Sequence, residues 1–282
     1  MVETPERERV LCHPRGKKSE VVVGDRVRWQ AAGDEGVIEH IEPRSNLLFR
    51  QDEWRTKSFA ANLDQILVLV AGEPVFSESQ LTRALIAAAQ AGIRAVIGLN
   101  KIDLPAATTA RERLLPYRAM GVEVIELALK ADPAASARTL LALLAGRTTL
   151  VLGPSGTGKS TLINLMVPRA EAEVGEISTA LNSGRHTTTT TRWYWLGDAP
   201  DAGALIDSPG FQEFGLRQVE PTALAPLMPD LAACIGGCRF HNCTHRHEPA
   251  CAVRDAVERG EISAGRYRIY AELFDELSRK RW

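Results

Sequence analysis

Nine consecutive residues, Gly153-Pro154-Ser155-Gly156-Thr157-Gly158-Lys159-Ser160-Thr161, carry the G-x4-G-K-[ST] spacing of a phosphate-binding loop. The apolar run Thr148 to Leu152 precedes them, and the helix-forming stretch Thr161-Leu162-Ile163-Asn164-Leu165-Met166 follows. Strand, glycine loop and helix start are the context in which this spacing counts. The glycines remove the Cβ atoms that would keep backbone amides from closing round phosphate oxygens. The helix start adds unpaired N–H groups and the positive end of a dipole. In such a loop Lys159 reaches the β- and γ-phosphates, and the Ser160 hydroxyl ligates Mg²⁺.

A second group, Asn100-Lys101-Ile102-Asp103, ends the apolar run Ile93 to Leu99. Its chemistry is guanine recognition. The Asp103 carboxylate accepts from both guanine N1–H and the exocyclic amine, whereas adenine has no donor at either place. A polar mismatch of that kind discriminates by about 10⁴–10⁵. Asn100 would brace the loop and the Lys101 stem would cover the ring face. A third group, Asp207-Ser208-Pro209-Gly210, ends the apolar run Ala204 to Ile206. There Asp207 holds Mg²⁺ through water, and the Gly210 amide meets a γ-phosphate and releases it after hydrolysis. Between loop and Asp-x-x-Gly lies Ser183-Gly184-Arg185-His186 and a threonine run, 187–191. One threonine is expected to ligate Mg²⁺ in the triphosphate state, and we take Thr188. The run also reads as an exposed β segment leading into Trp193-Tyr194-Trp195, and both readings hold for different threonines.

The fourth group is cysteine-rich. Residues 238–251 have the spacing C-x4-C-x-H-x5-C, with Cys234, His241 and His247 as further candidate ligands. Clustered cysteines in a chain without a secretory leader favour metal over disulfides. Three thiolates and one imidazole close a tetrahedral zinc site with no open position, so its role is structural. Zinc contributes about 10–16 kcal/mol to folding such a small unit.

These groups need elements to position them. From residue 61 strands and helices alternate: Asp64–Ala71, a helix after the capping residues Ser77 to Gln80, then Ile93–Leu99. A helix over Ala107–Met120 is expected to break or kink at Pro116. The strand Val122–Leu127 and the helix Ser136–Leu144 follow. Such alternation predicts a parallel sheet with helices on both faces and a ligand at the carboxyl ends of its strands. Residues 8–60 read as short strands, with Val21–Trp29 β-rich around a Gly24-Asp25 turn, then Gly36–Ile41 and Asn46–Arg50, which suggests a small oligonucleotide-binding-type β-barrel. Arg26, Arg28, Trp29, Arg50, Trp54, Arg55 and Lys57 could form an RNA-binding face there, although acids match bases over residues 1–60 and a barrel tryptophan is usually core. Helices are expected over 252–259 and 266–278. The fold class is therefore α/β with flanking units, divided as 1–60, 61–223 and 224–282.

The chain has 282 residues, 45% apolar and 24% charged, which excludes global disorder. A net charge of −1 makes any nucleic-acid surface a local one. No apolar run reaches transmembrane length and the N-terminus lacks an apolar signal core, so no membrane partner is expected and the location is cytoplasmic.

The order of the groups is informative. GTPases usually run phosphate loop, switch threonine, Asp-x-x-Gly, Asn-Lys-x-Asp, then a purine-closing loop. Here Asn-Lys-x-Asp stands first and Asp-x-x-Gly last, a circularly permuted order. With a β unit before it, Gly184-Arg185-His186-Thr187-Thr188 within it and the Cys/His cluster after it, the chain resembles the ribosome small-subunit-dependent GTPase A family over nearly its whole length. The resemblance implies a circularly permuted P-loop GTPase domain between an oligonucleotide-binding-fold barrel and a helical zinc domain. It implies a GTP hydrolase stimulated by the small ribosomal subunit, acting late in that subunit's maturation and contacting its ribosomal RNA. The implied cofactors are GTP/GDP, Mg²⁺ and one structural zinc on Cys238, Cys243, His245 and Cys251. A monomer is expected. The chain departs from the family at the purine-closing loop, Leu127-Ala128-Leu129-Lys130 instead of a Ser-Ala-like run, and in an N-terminal segment short for a full barrel. Phe211 stands where many GTPases place a water-orienting glutamine, so that group comes from His186, Gln212 or a partner; the resemblance points to His186. Two other classes fit parts of the chain: a P-loop ATPase, which the Asn-Lys-x-Asp group disfavours, and a nucleotide-gated RNA-binding module with incidental hydrolysis.

Overall fold

The computed structural model describes residues 1–15, 20–51, 56–168, 170, 191–199, 201–208 and 215–279. Short N-terminal strands come first: β1 (Val2–Glu3), β2 (Arg9–Val10), β3 (Cys12–Pro14), β4 (Val27–Ala32), β5 (Glu35–Ile41), β6 (Leu47–Gln51) and β7 (Thr56–Ala61). They pair as β1-β2, as a three-stranded sheet β3-β5-β4 and as the hairpin β6-β7. Bulges between Arg28 and Trp29 and between Leu48 and Phe49 bend the last two sheets. Trp29 lies over Gly36, where any Cβ would sit 2.6 Å from its ring, so this tryptophan is packed and not presented. Of the β-rich run 21–29, the turn expected at Gly24-Asp25 is present, with the strand beginning after it at Val27 and none before it. The Asp25 carboxylate accepts from the Val22 amide at 2.8 Å and pairs with Arg44 at 2.7 Å.

The larger unit alternates as the sequence predicts: β8 (Gln65–Ala71), α1 (Glu78–Gln90), β9 (Arg94–Asn100), α2 (Ala107–Ala119), β10 (Glu123–Glu126), α3 (Pro133–Leu144), β11 (Thr148–Leu152), α4 (Lys159–Met166), β12 (Arg192–Trp195) and β13 (Ala204–Asp207). One sheet in the order β10-β9-β8-β11-β13-β12 results, parallel except for β12. Every residue of β8 is buried, as a parallel strand covered on both faces requires. The Ser77 hydroxyl caps α1 by accepting from the Gln80 amide. Helix α2 runs through Pro116, contrary to the expected break. The proline forfeits one helix hydrogen bond, its own, and the buried Leu114 and Tyr117 hold the chain around it on the core.

Beyond β13 the chain forms α5 (Pro229–Ala232), a Cys/His-rich loop region, α6 (Ala252–Glu258) and α7 (Ala264–Ser278). Helix α7 starts earlier than expected because Ser263 caps it, accepting from the Arg266 amide at 3.3 Å. Arg266 is buried, with 3% of its side chain exposed, and joins three elements. It donates to Asp230 at 2.8 Å and to the Thr82 hydroxyl of α1 at 2.7 Å, and its guanidinium lies 5.1 Å from the Tyr117 ring. A charge buried this far from water is tolerated only when paired. No helix among the described residues is long and apolar enough to cross a membrane.

Candidate functional site

The carboxyl ends of β8, β9, β11 and β13 lie side by side, so the motifs that follow them converge on one edge of the sheet. Register places Leu152, the last residue before the glycine loop, beside Val68, and Asp207 beside Val151.

The loop between β11 and α4 needs its glycines for steric reasons. Gly153 has φ 149° and a Cβ there would lie 2.2 Å from the Leu69 carbonyl oxygen. Gly158 has φ 106°, and a Cβ there would lie 2.4 Å from the Asn100 amide nitrogen. Both positions lie in the backbone region that favours glycine. Thr157 is fully buried, and its hydroxyl donates to the Pro154 carbonyl at 2.9 Å, fixing the turn. Lys159 folds back over the loop and donates to the Gly153 and Pro154 carbonyls at 2.7 and 2.9 Å. Burial pushes its amine below the ordinary lysine value, and the Asp207 carboxylate opposes that shift. A buried cation facing a strand-end carboxylate suits a polyanion with a divalent cation. The cradle fits a nucleotide phosphate chain, with Ser160 and Thr161 at the helix start.

Asn100 is 3% exposed and joins two loops. Its amide donates to the Thr157 carbonyl at 2.8 Å, and its carbonyl oxygen accepts from the Leu129 amide at 3.1 Å. Lys101 adopts φ 62° and stretches to the Glu73 carbonyl at 2.8 Å. Burial lowers its amine's affinity for a proton. Asp103 lies beyond it, exposed at the mouth of the loop. The run Leu127–Lys130 is held close by. The Leu127 amide donates to the Leu99 carbonyl at 2.8 Å, and the Ala128 amide to the Ser136 hydroxyl at 3.0 Å. Backbone hydrogen bonds thereby tie the Leu127–Lys130 run to the end of β9 and to α3. Ser136, buried at 3% exposure, is a supporting residue that the sequence did not reveal. A serine inside an apolar helix carries no spacing signal.

The third motif is only partly visible. Asp207 is buried at the end of β13. Strand β12 runs antiparallel to β13 and pairs Arg192 with Asp207, so the chain leaving the threonine run passes beside Asp207. The Thr191 and Ser208 hydroxyls lie 3.4 Å apart. His186, Thr188, Gly210, Phe211 and Gln212 lie outside the described residues. The segment that follows Asp-x-x-Gly pairs with the N-terminal unit: the Gln51 amide donates to the Gly215 carbonyl at 3.3 Å and the Arg217 amide to the Gln51 carbonyl at 2.9 Å. The exit of the threonine run is also gripped. Arg7 donates to the Gly197 and Ala199 carbonyls at 2.7 and 2.9 Å, and Glu3 accepts from the Trp195 indole.

Cys238, Cys243, His245 and Cys251 are brought together, with ligand atoms all within 4.8 Å of one another. His245 Nδ1 lies 3.5 Å from both the Cys238 and the Cys251 Sγ atoms. The edge of a zinc tetrahedron with ordinary Zn–S and Zn–N bonds is about 3.6 Å, so the four groups fit zinc. Cys234, His241 and His247 are not members of this group. Burial first of all pushes the Cys243 thiol up to about 12, so a thiolate there calls for a cation beside it. Burial lowers the His245 imidazole, which keeps a lone pair available. Two residues of the knuckle, His245 and Ala250, have φ of 59° and 53°. The Tyr267 and Tyr270 hydroxyls donate to the His245 and Thr244 carbonyls, each at 2.7 Å, and tie the knuckle to α7.

A family model described as RsgA GTPase matches residues 41–217. A protein of Variovorax paradoxus named "Small ribosomal subunit biogenesis GTPase RsgA" is 60% identical, across 100% of this chain and 90% of its own length. A Burkholderia pseudomallei protein of the same name is 54% identical, across 95% of this chain and 85% of its own. Among solved structures, YjeQ from Thermotoga maritima superposes with a TM-score of 0.75 at 29% identity, covering 98% of this chain and 92% of that one. YloQ, described as a circularly permuted GTPase, superposes with a TM-score of 0.69 at 27% identity, covering 99% and 91%.

Proposed function

We infer that this chain, which belongs to the RsgA GTPase family, hydrolyses GTP and acts in biogenesis of the small ribosomal subunit. The observation that carries the reading is the shared edge where Asn100, between Thr157 and Leu129, locks the guanine loop to the phosphate loop. The site residues take these roles. The loop Gly153 to Thr161 cradles the phosphates through its backbone N–H groups, with Pro154, which has none, shaping the curve that runs on through Ser155, Gly156, Thr157 and Gly158. Lys159 leaves its two carbonyls to neutralise the β- and γ-phosphates. Asn100, Lys101 and Asp103 bind guanine. Mg²⁺, when bound to Ser160 and Thr188 with Asp207 behind it, supplies charge neutralisation for the transferring phosphoryl group. Gly210 reports the γ-phosphate, and His186 orients the attacking water. Cys238, Cys243, His245 and Cys251 hold a structural zinc. The units 1–60, 61–223 and 224–282 are separate domains of a cytoplasmic monomer that binds the small subunit through its ribosomal RNA.

Coupling between these parts has a physical route. Each chain segment leaving a switch is held by the N-terminal unit: Trp195 by Glu3 and Arg7, and Leu216 by β6. Movement of either switch on loss of the γ-phosphate is thereby passed to the outer units. The test is GTP turnover with and without purified small subunits. Slow basal hydrolysis, on the order of 10⁻⁴–10⁻² per second, is expected, with a rise of up to about 10⁵ on adding subunits. His186→Ala should abolish most of that rise. Fast turnover without subunits contradicts the reading, and a fully stimulated His186→Ala removes that residue's role.

A further inference from the structure

The Cys/His knuckle presents one feature that metal binding does not use. Between its first two cysteines runs the four-residue loop Arg239-Phe240-His241-Asn242, every residue of which is exposed. Phe240, at 39%, is the only exposed phenylalanine, tyrosine or tryptophan among the described residues. The other described phenylalanines, Phe49, Phe59, Phe76 and Phe274, are buried or half-buried. Phe240 is not a side chain left out of a floppy tip. Its backbone is fixed at both ends: the Cys243 amide donates to the Phe240 carbonyl at 3.2 Å, and the Arg239 amide to the Ala250 carbonyl at 3.2 Å.

Charge around the ring is one-sided. The Arg239 guanidinium lies 5.5 Å from the Phe240 centroid and makes no ion pair among the described residues. Glu248, the one acid of the knuckle, and Asp275 of α7 are both engaged elsewhere. The Glu248 carboxylate accepts from the Thr244 hydroxyl at 2.6 Å and from the amides of Thr244, Arg246 and His247 at 2.7, 3.1 and 3.1 Å. Asp275 is paired with Arg246 at 2.6 Å. An exposed ring on a fixed turn, with an unpaired arginine against it and no competing carboxylate, matches the stacking platform that takes an unpaired base beside a phosphate.

We propose that Phe240 stacks on an unpaired base of small-subunit RNA, with Arg239 on the adjoining phosphate. This rests on the reading above that the chain binds that subunit, and it names the residues and the form of RNA contacted. A hydrophobic contact with a ribosomal protein would use the same ring without needing aromaticity or the cation.

The experiment is equilibrium binding of the full chain to purified small subunits with a non-hydrolysable GTP analogue, for the parent and for Phe240→Ala, Phe240→Leu, Phe240→Trp and Arg239→Ala. Zinc content and subunit-free GTP turnover, which Phe240 does not serve, confirm that each variant is folded. Stacking is worth about 1–3 kcal/mol per base. Phe240→Ala should therefore weaken binding by about fivefold to 150-fold, Phe240→Leu should weaken it nearly as much, and Phe240→Trp should bind like the parent. Arg239→Ala should weaken binding and flatten its salt dependence by about one phosphate contact. Equal binding by Phe240→Ala overturns the proposal, as does Leu binding as well as Trp, which would mark a protein contact. If the parent itself does not bind small subunits, the functional reading falls as well; if the parent binds and alanine is silent, the stacking proposal falls alone.

Discussion

The glycine loop and the cysteine knuckle both gather polar groups around a charged guest, yet they are held in opposite ways. The loop sits on the carboxyl edge of a sheet whose central strand is wholly buried. Its shape is enforced by tight packing, such as Gly153 against Leu69 and Gly158 against Asn100. The knuckle has no strand beneath it. Its four ligand atoms cluster within 4.8 Å, two residues carry left-handed backbone, and the tyrosines of α7 hold it from one side. One region is shaped before its ligand arrives, because the core pays for the shape. In the other, a metal on these four groups would close the structure.

Removing the metal should break this contrast most sharply. Chelation, or Cys243→Ala, removes a contribution of about 10–16 kcal/mol to the C-terminal unit. Hydrogen exchange should show residues 234–258 opening, while the six-stranded sheet stays protected and GDP affinity holds. If the sheet opens too, the two regions are one cooperative unit.

The next largest effect belongs to the loop side. Asp103→Asn leaves guanine N1–H and N2 without their acceptor, and GTP affinity should fall by about 10⁴-fold, or about 5.5 kcal/mol, with no change in thermal stability. Asp103 is exposed and supports nothing else, so a large loss of stability would contradict its assignment.

The joint between the two regions comes third. Arg266→Met strands Asp230, and removing one member of a buried pair costs about 3–5 kcal/mol. Thermal unfolding should show the loss, and the double variant Arg266→Met with Asp230→Leu should recover most of it. Loss of GDP affinity in either variant would mean that the joint also shapes the nucleotide site.

The chemistry was legible in the sequence where it demands residue types at fixed spacing. The phosphate-loop spacing, Asn100 to Asp103, Asp207 and the Cys/His spacing are all of this kind; the structure sets the first three at strand ends along one sheet edge and gathers Cys238, Cys243, His245 and Cys251 into one cluster. The alternation of strand and helix was legible for a similar reason, since period and turn residues are local. What the sequence hid is long-range and made of ordinary residues. Nothing marks Ser136 as the acceptor for the Ala128 amide, or Arg266 as the link from α7 to α1. The pairing of Gln51 with Leu216 joins residues far apart in the chain through backbone groups that any side chain could carry. Pro116 misled because the cost of a helical proline is local, whereas the burial of Leu114 and Tyr117 that offsets it is tertiary.

A smaller effect sharpens the loop side. Gly158→Ala forces a Cβ to 2.4 Å from the Asn100 amide in a left-handed backbone. That should lower GDP affinity at least about tenfold, equivalent to about 1.4 kcal/mol, with the knuckle unaffected in zinc content. Unchanged affinity would show that the loop is less rigid than its packing implies.

The central claim is that nucleotide state, read at the sheet edge, sets how the outer units hold the small subunit. Co-sedimentation of the full chain with purified small and large subunits, under a GTP analogue and under GDP, tests it most directly. Retention on small subunits with the analogue, release with GDP and no retention on large subunits are the expected results. Equal retention under both nucleotides, or binding to large subunits instead, would contradict it.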